Sequence, residues 1–129
     1  MDVIESSAFR ERIKMLGYVK EEAKPALLSG ASIYVQPSIY EGFGLPPLEA
    51  MACGTPAICA DSTCLPEVVG EGNALFFDPT DTEALARACR RLLTDENLRA
   101  SLIERGLARA KEYDWKRTAE ETLKILETW

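Results

Sequence analysis

No histidine occurs anywhere in the 129 residues, so no imidazole of this chain can serve as acid, base or metal ligand. The four cysteines, at 53, 59, 64 and 89, lack the paired C-x-x-C spacing of a zinc site. A metal would need carboxylates or scattered thiols, and none is expected. The thiols read instead as small buried side chains in a reducing cytosol. A basic surplus is also missing. Fifteen Lys and Arg stand against 21 Asp and Glu, a net charge of −6, which argues against a nucleic-acid footprint. That average leaves contact with a membrane surface undetermined. The apolar runs are too short for a spanning helix and no secretory leader opens the chain, so a cytoplasmic location is expected. Internal repeats and low-complexity linkers are absent.

What is present is ordinary globular material, 47% hydrophobic and 28% charged, at a length suited to one domain that buries about two thirds of its unfolded surface. Short apolar runs alternate with helical patterns. Strands are predicted at 13–19 (IKMLGYV), 32–37 (SIYVQP), 56–61 (PAICAD) and 74–78 (ALFFD). Between them Pro25 opens a short helix that Gly30 closes. PPLEAMAC (46–53) and LPEVVG (65–70) supply two more helices. Such alternation implies an α/β fold with a parallel, Rossmann-like sheet and flanking helices.

The last third is helical. Thr80 and Glu83 have the spacing of a capping box, followed by an apolar stripe of Leu85, Cys89, Leu92 and Leu93. A second helix is predicted from about Glu96 to Lys111. Asp114 caps a third, on which Trp115, Ala119, Thr122, Leu123 and Leu126 share a face. These stripes read as packing surfaces. Ile125 and Trp129 fall toward a second face, so the isolated chain is expected to self-associate through this helix or to leave its end mobile.

The stretch YEGFGLPPLEAMACGTPAI (40–58) carries the chemistry. Loop 41–45 follows a strand's carboxyl end and leads into a helix, the place where doubly wound sheets bind ligands and where helix amides favour an anion. Gly42 and Gly44 let backbone approach a ligand closely. Because Pro46 and Pro47 cannot donate, the available amides are those of Gly42, Phe43, Gly44, Leu45 and Leu48. Glu41 and Glu49 repel phosphate, but a carboxylate accepts well from the vicinal hydroxyls of a ribose or hexose. Placed on the first helical turn, Glu49 could reach a ribose or merely complement the helix dipole. Glu41 could address a sugar or sit solvated in its loop. Spacing alone leaves both open.

The segment ASIYVQPSIYEGFGLPPLEAMACGTPAICADSTCLPEVVGEGNALFFDPTD (31–81) closely resembles the C-terminal domain of the group 1 glycosyltransferases, retaining enzymes of the GT-B fold. The likeness rests on E-x7-E at Glu41 and Glu49, GFGLP, EAMACGTP and LPEVVG, and extends over nearly the whole chain. It implies a catalytic Glu41 against the transferred sugar and Glu49 on the ribose hydroxyls. It also implies that Gly42, Phe43, Gly44 and Leu45 give amides to sugar and diphosphate, while Val19 and Glu21 lie beside the base. The implied partner is a nucleotide-diphosphate sugar, with no cofactor and no metal.

In that family an N-terminal domain holds the acceptor, and an Arg and a Lys before this region neutralise the diphosphate. Neither is in this sequence. Residues 1–129 are therefore expected to be a partial C-terminal, donor-binding domain, inactive alone, whose parent works in the cytoplasm or at the membrane's inner face. A non-catalytic nucleotide-sugar-binding or regulatory module is the alternative. A phosphoacceptor receiver, suggested by Glu21, Glu22 and Asp61, lacks a lysine after its last strand and is set aside.

Overall fold

The computed structural model describes residues 2–128, so the expectation for Trp129 falls outside the described residues. The elements run α1 (Asp2–Glu5), α2 (Lys24–Ser29), β1 (Tyr34–Gln36), α3 (Leu45–Ala52), β2 (Ala57–Ala60), α4 (Leu65–Val69) and β3 (Leu75–Phe77). Three longer helices follow, α5 (Thr82–Thr94), α6 (Glu96–Ala110) and α7 (Trp115–Glu127). Short 3-10 turns cover Arg10–Arg12 and Glu21–Ala23.

The strands form one parallel sheet in the order β1-β2-β3, with Val35 beside Ile58 and Cys59 beside Phe76. Parallel neighbours cannot be joined by a tight turn, so α3 and α4 carry the two crossovers. The middle strand is covered on both faces. Ala57, Ile58, Cys59 and Ala60 are wholly buried, which explains a continuous apolar run in place of alternation. Burial pushes the Cys59 thiol up to about 12. Of the four unpaired thiols only Cys59 is fully buried, while Cys53, Cys64 and Cys89 are half-covered.

Met51 of α3, Leu65 and Val69 of α4, Phe77, Leu92 of α5 and Leu102 of α6 complete the core around β2. Where α3 crosses α6, Gly106 lets the helices approach, because a Cβ there would stand 3.1 Å from Met51 Cγ. The buried Thr55 hydroxyl donates to the Leu28 carbonyl at 2.6 Å and fastens α2 to the entry of β2. Pro25 lies in the first turn of α2 and Gly30 caps its end, as the punctuation predicts.

Four expectations need correction. Residues 13–19 form no strand: Ile13, Met15, Leu16 and Tyr18 are exposed and Gly17 has a φ of +63°. An extended segment becomes a strand only by pairing, and no described strand lies beside this one. The sheet therefore has three strands, not four. The cap of α5 is Asp81, whose carboxylate accepts from Ala84 N at 2.8 Å. Thr80 is engaged elsewhere, donating its amide and hydroxyl to Asp78 at 2.8 and 2.6 Å, and those bonds lower the Asp78 pKa.

Leu93 leaves the expected stripe of α5, being 55% exposed beside a fully buried Leu92. The stripe of α7 does not pack on the domain: no side chain of that helix is buried, and Trp115, Leu123 and Leu126 stand open together with Ile125. Helical period gives the width of an apolar face but not whether a partner surface lies opposite. The caps at Asp95 and Asp114 are formed, each carboxylate accepting from a backbone amide of its own helix.

The neighbouring leucines of α5 make the packing testable. Leu92→Ala should cost about 2–5 kcal/mol of unfolding free energy, whereas Leu93→Ala should stay within about 0.5 kcal/mol of wild type. Urea melts of the two variants decide, and equal losses would contradict the burial contrast.

Candidate functional site

The site lies at the carboxyl ends of β1 and β2, where two loops meet. After β1 the chain runs through Ser38 to Glu41 and into the glycine loop. After β2 it passes Asp61 to Cys64. Cross-links lock the loops together: Ser62 Oγ donates to the Ser38 carbonyl at 2.8 Å, Glu41 N to Thr63 Oγ1 at 3.3 Å, and Cys64 Sγ to the Glu41 carbonyl at 3.4 Å. Thr63 adopts a φ of +47°, a left-handed conformation that a β-branched residue takes only when its surroundings impose it.

Glu41 is half-buried and oriented by a relay along β1. The Tyr34 hydroxyl donates to Gln36 Oε1, so the Gln36 amide group points its NH2 outward. That group donates to Ser38 Oγ at 2.7 Å and to Glu41 Oε1 at 2.6 Å. Burial, then the charges of Cys59, Glu41 and Glu49, push the Tyr34 hydroxyl up to about 12. Tyr34 thus remains a donor throughout the working pH range, and Glu41 is held by neutral partners instead of a cation.

The glycine loop ends at Gly44, which is buried and caps α3 with φ +91° and ψ 45°. A Cβ there would stand 2.7 Å from Leu65 Cδ2, so the backbone lies directly on the first residue of α4. No side chain caps α3. Among the described residues the amides of Gly42, Phe43, Gly44 and Leu45 have no hydrogen-bond acceptor, which leaves an uncommitted row of donors. α3 begins at Leu45, one residue ahead of the two prolines. The same early start makes Glu49 its fifth residue, on the second turn instead of the first, where the pull of the dipole has largely faded.

Glu49 is exposed and stands between two concavities. One, of about 240 Å³, is bordered by Glu49, Glu21 and Lys24 over a floor that includes Pro25, Leu28 and Ala52. The other, of about 660 Å³, is a mainly apolar groove bordered by Glu49, Phe43, Leu45, Leu48, Tyr113 and Trp115. Glu21 is therefore brought to Glu49, as are Phe43 and Leu45. Val19 is half-buried in the preceding turn and borders neither cavity, and neither does Glu41.

Several supporting groups carry little local signal in the sequence. Phe43 meets the Tyr113 ring edge-on, centroids 5.9 Å apart. The Tyr113 hydroxyl donates to the Val68 carbonyl at 2.9 Å. Arg109 donates to the carbonyls of Val68 and Glu67 at 3.0 and 2.8 Å and pairs with Glu112. A guanidinium thus satisfies the open end of α4. A polar Gln36 inside an apolar strand was the one visible signal; nothing local marks Thr63, Arg109 or Tyr113. Among the described residues no cluster of three or more Cys, Asp or Glu is placed to hold a metal.

Residues 2–109 match the family described as glycosyl transferases group 1. Over 111 residues, 86% of the chain, the sequence is 45% identical to the O-antigen chain mannosyltransferase B of Escherichia coli, of which that span covers 29%. The fold superposes on sucrose-phosphate synthase from Thermosynechococcus elongatus with a TM-score of 0.91 and 31% identity, covering 98% of this chain and 32% of that one. It also superposes on Anabaena HepE, solved in complex with UDP and glucose, with a TM-score of 0.84 and 25% identity, covering 92% and 32%. The chain spans about a third or less of each of these proteins.

Gly44→Ala should destabilise the fold by about 1–3 kcal/mol through its positive φ and the Leu65 contact. In a Leu65→Ala background the same change should cost less, because only the backbone strain remains. Denaturant melts of the four-member cycle measure the difference. A loss of equal size in both backgrounds would mean that the Leu65 contact is unimportant.

Proposed function

The chain belongs to the group 1 glycosyltransferases, and on that premise we propose that it is the distal part of a donor-binding domain. Its parent would move a glycosyl group from a nucleotide-diphosphate sugar to an acceptor with retention of configuration. A parent that works in the cytoplasm or at the membrane's inner face, and a separate N-terminal acceptor domain, belong to the same proposal. Among the described residues no helix is long and apolar enough to cross a membrane.

The carrying observation is the row of four uncommitted amides at 42–45 with a carboxylate on either side. Glu49 accepts from the ribose hydroxyls, with Val19 and Glu21 toward the base. The amides receive the diphosphate, and as the bond to the anomeric carbon breaks they meet the charge that develops on the leaving group. Glu41, held by Gln36 at 2.6 Å, faces the transferred sugar as the catalytic carboxylate. No metal or other cofactor takes part in this scheme.

Substitutions in the full-length protein separate the two acids. Glu49→Ala should weaken nucleoside diphosphate binding about tenfold or more, each charge-assisted bond being worth roughly 1.5–3 kcal/mol. Glu41→Ala should leave that affinity in place and lower turnover. Calorimetry with free nucleotide, together with rates and the anomeric configuration of the product, tests both assignments. Equal affinity losses in the two variants would end the division of roles, and an inverted product would end the claim of retention.

By itself the 129-residue chain should transfer no sugar, since Lys24 is the one cation bordering either cavity among the described residues and a diphosphate without cationic partners binds poorly. The open face of α7, with Leu123 54% and Leu126 67% exposed, would be covered by the rest of the parent and by a second copy in the isolated chain. Product detection and light scattering on the isolated chain examine these expectations. Turnover by the chain alone would refute its incompleteness. A monomer that Leu123→Glu, Leu126→Glu leaves unchanged would refute the self-association.

A further inference from the structure

Thr63 bears a strain for which packing gives no reason. Among the described residues it is the one residue other than glycine with a positive φ, at +47°. The Leu65 amide donates to the Ser62 carbonyl at 3.2 Å and closes a turn centred on Thr63 and Cys64. Cys64 follows with φ −84° and ψ −10°. A positive φ followed by these angles marks a type II′ turn, whose first central position is the place of glycine. A β-branched residue there costs stability, and Thr63 is exposed, so it recovers nothing in the core. What threonine has and glycine lacks is the hydroxyl, which accepts from Glu41 N at 3.3 Å.

We infer that Thr63 is a positioning residue for the transfer step, its strained turn held so that the hydroxyl aims Glu41 at the sugar. The inference rests on the donor-site reading, in which Glu41 faces the transferred sugar. Both backbone groups of Glu41 end on this turn, the amide on Thr63 and the carbonyl on Cys64 Sγ at 3.4 Å. Each peptide unit is planar, so fixing the one on either side of Cα fixes the direction in which the side chain leaves. Gln36 then takes Oε1 at 2.6 Å. Among the described residues Oε2 has no such partner, which leaves one oxygen for a substrate hydroxyl.

The same bond sorts the amides of the loop. Those of Gly42, Phe43, Gly44 and Leu45 have no acceptor, whereas that of Glu41 is turned across to the loop after β2. Without the hydroxyl, Glu41 N would join the row of donors and its peptide could rotate toward the ligand. The carboxylate would then shift against the sugar while the contacts to the nucleotide stayed in place. A misplacement of about 1 Å can cost a reacting group up to about a hundredfold in rate. The deficit therefore falls on kcat and spares donor affinity.

The test is kinetics on the full-length protein, with UDP- and GDP-linked glucose and mannose as donors and release of nucleoside diphosphate as the readout. Thr63→Gly, which frees the turn and removes the hydroxyl, should lower kcat about tenfold or more. Its KM and its affinity for free nucleotide should stay within about twofold of wild type, and it should melt no earlier. Thr63→Val keeps the strain without the hydroxyl, so it should lose kcat to a similar degree and melt earlier. Thr63→Ser keeps the hydroxyl and should hold kcat within about threefold of wild type. In a Glu41→Ala background Thr63→Gly should cost nothing further, because it acts through that carboxylate. Wild-type kcat in Thr63→Gly would overturn the inference and leave the donor site standing. Losses that follow melting temperature across the three variants, or that add in the double variant, would also overturn it. Full turnover in Glu41→Ala, or no release from any donor by wild type, would remove the donor-site reading and this inference with it.

Discussion

The contact between Gly44 and Leu65 governs where everything else in the site can stand. With φ at +91° and Leu65 Cδ2 2.7 Å from any added Cβ, the chain turns into α3 while lying directly on α4. That turn starts α3 at Leu45, sets Glu49 on its second turn and leaves four loop amides without acceptors. A side-chain cap would have covered the helix end, whereas glycine leaves its donors open. α4 is itself anchored, because Arg109 and Tyr113 bind the carbonyls of Glu67 and Val68. The loop therefore rests on a chain of contacts reaching α6.

Charge at the site follows from how each acid is held. Glu41 is fixed by the Gln36 amide and through it by Tyr34, partners that orient a carboxylate without neutralising it. Glu21 is different, being paired with Lys24 in the open, where solvent weakens the attraction and the partners stay exchangeable. The Glu49 carboxylate has no hydrogen-bond or ion-pair partner among the described residues, and the residue borders both concavities. One rigid acid, one exchangeable pair and one open acid within a small region suit recognition of hydroxyls and N–H groups. They do not suit direct coordination of phosphate, which the proposed scheme gives to the backbone amides.

Packing explains why such a small sheet suffices. β2 is built from Ala57, Ile58, Cys59 and Ala60, narrow enough for helices to close over both faces. Gly106 then allows α3 and α6 to approach through Met51. Beyond α6 that economy ends: α7 buries no side chain, so its apolar residues add nothing to this core.

Much of the architecture was legible because it depends on local chemistry. Prolines at helix starts, Gly30 at a helix end, the cap at Asp114 and the apolar run of β2 each act within a few residues, and the three strands and main helices followed from them. The paired acids and the glycine loop were legible for the same reason. What local pattern could not supply was the presence of a partner. Residues 13–19 have strand composition but no strand to pair with, Leu93 has the period of a core residue but no surface opposite, and the face of α7 is apolar but uncovered. Thr80 lost the cap of α5 to Asp81 because Asp78 had already engaged it. Sequence alone thus determined where most segments turn, coil or extend, and that two acids flank a glycine loop after β1. Only the tertiary structure decided that Gln36 orients Glu41, that Thr63 is held left-handed and that Arg109 closes α4. Those contacts join residues 5 to 41 positions apart, and they exist only once the chain has folded around β2.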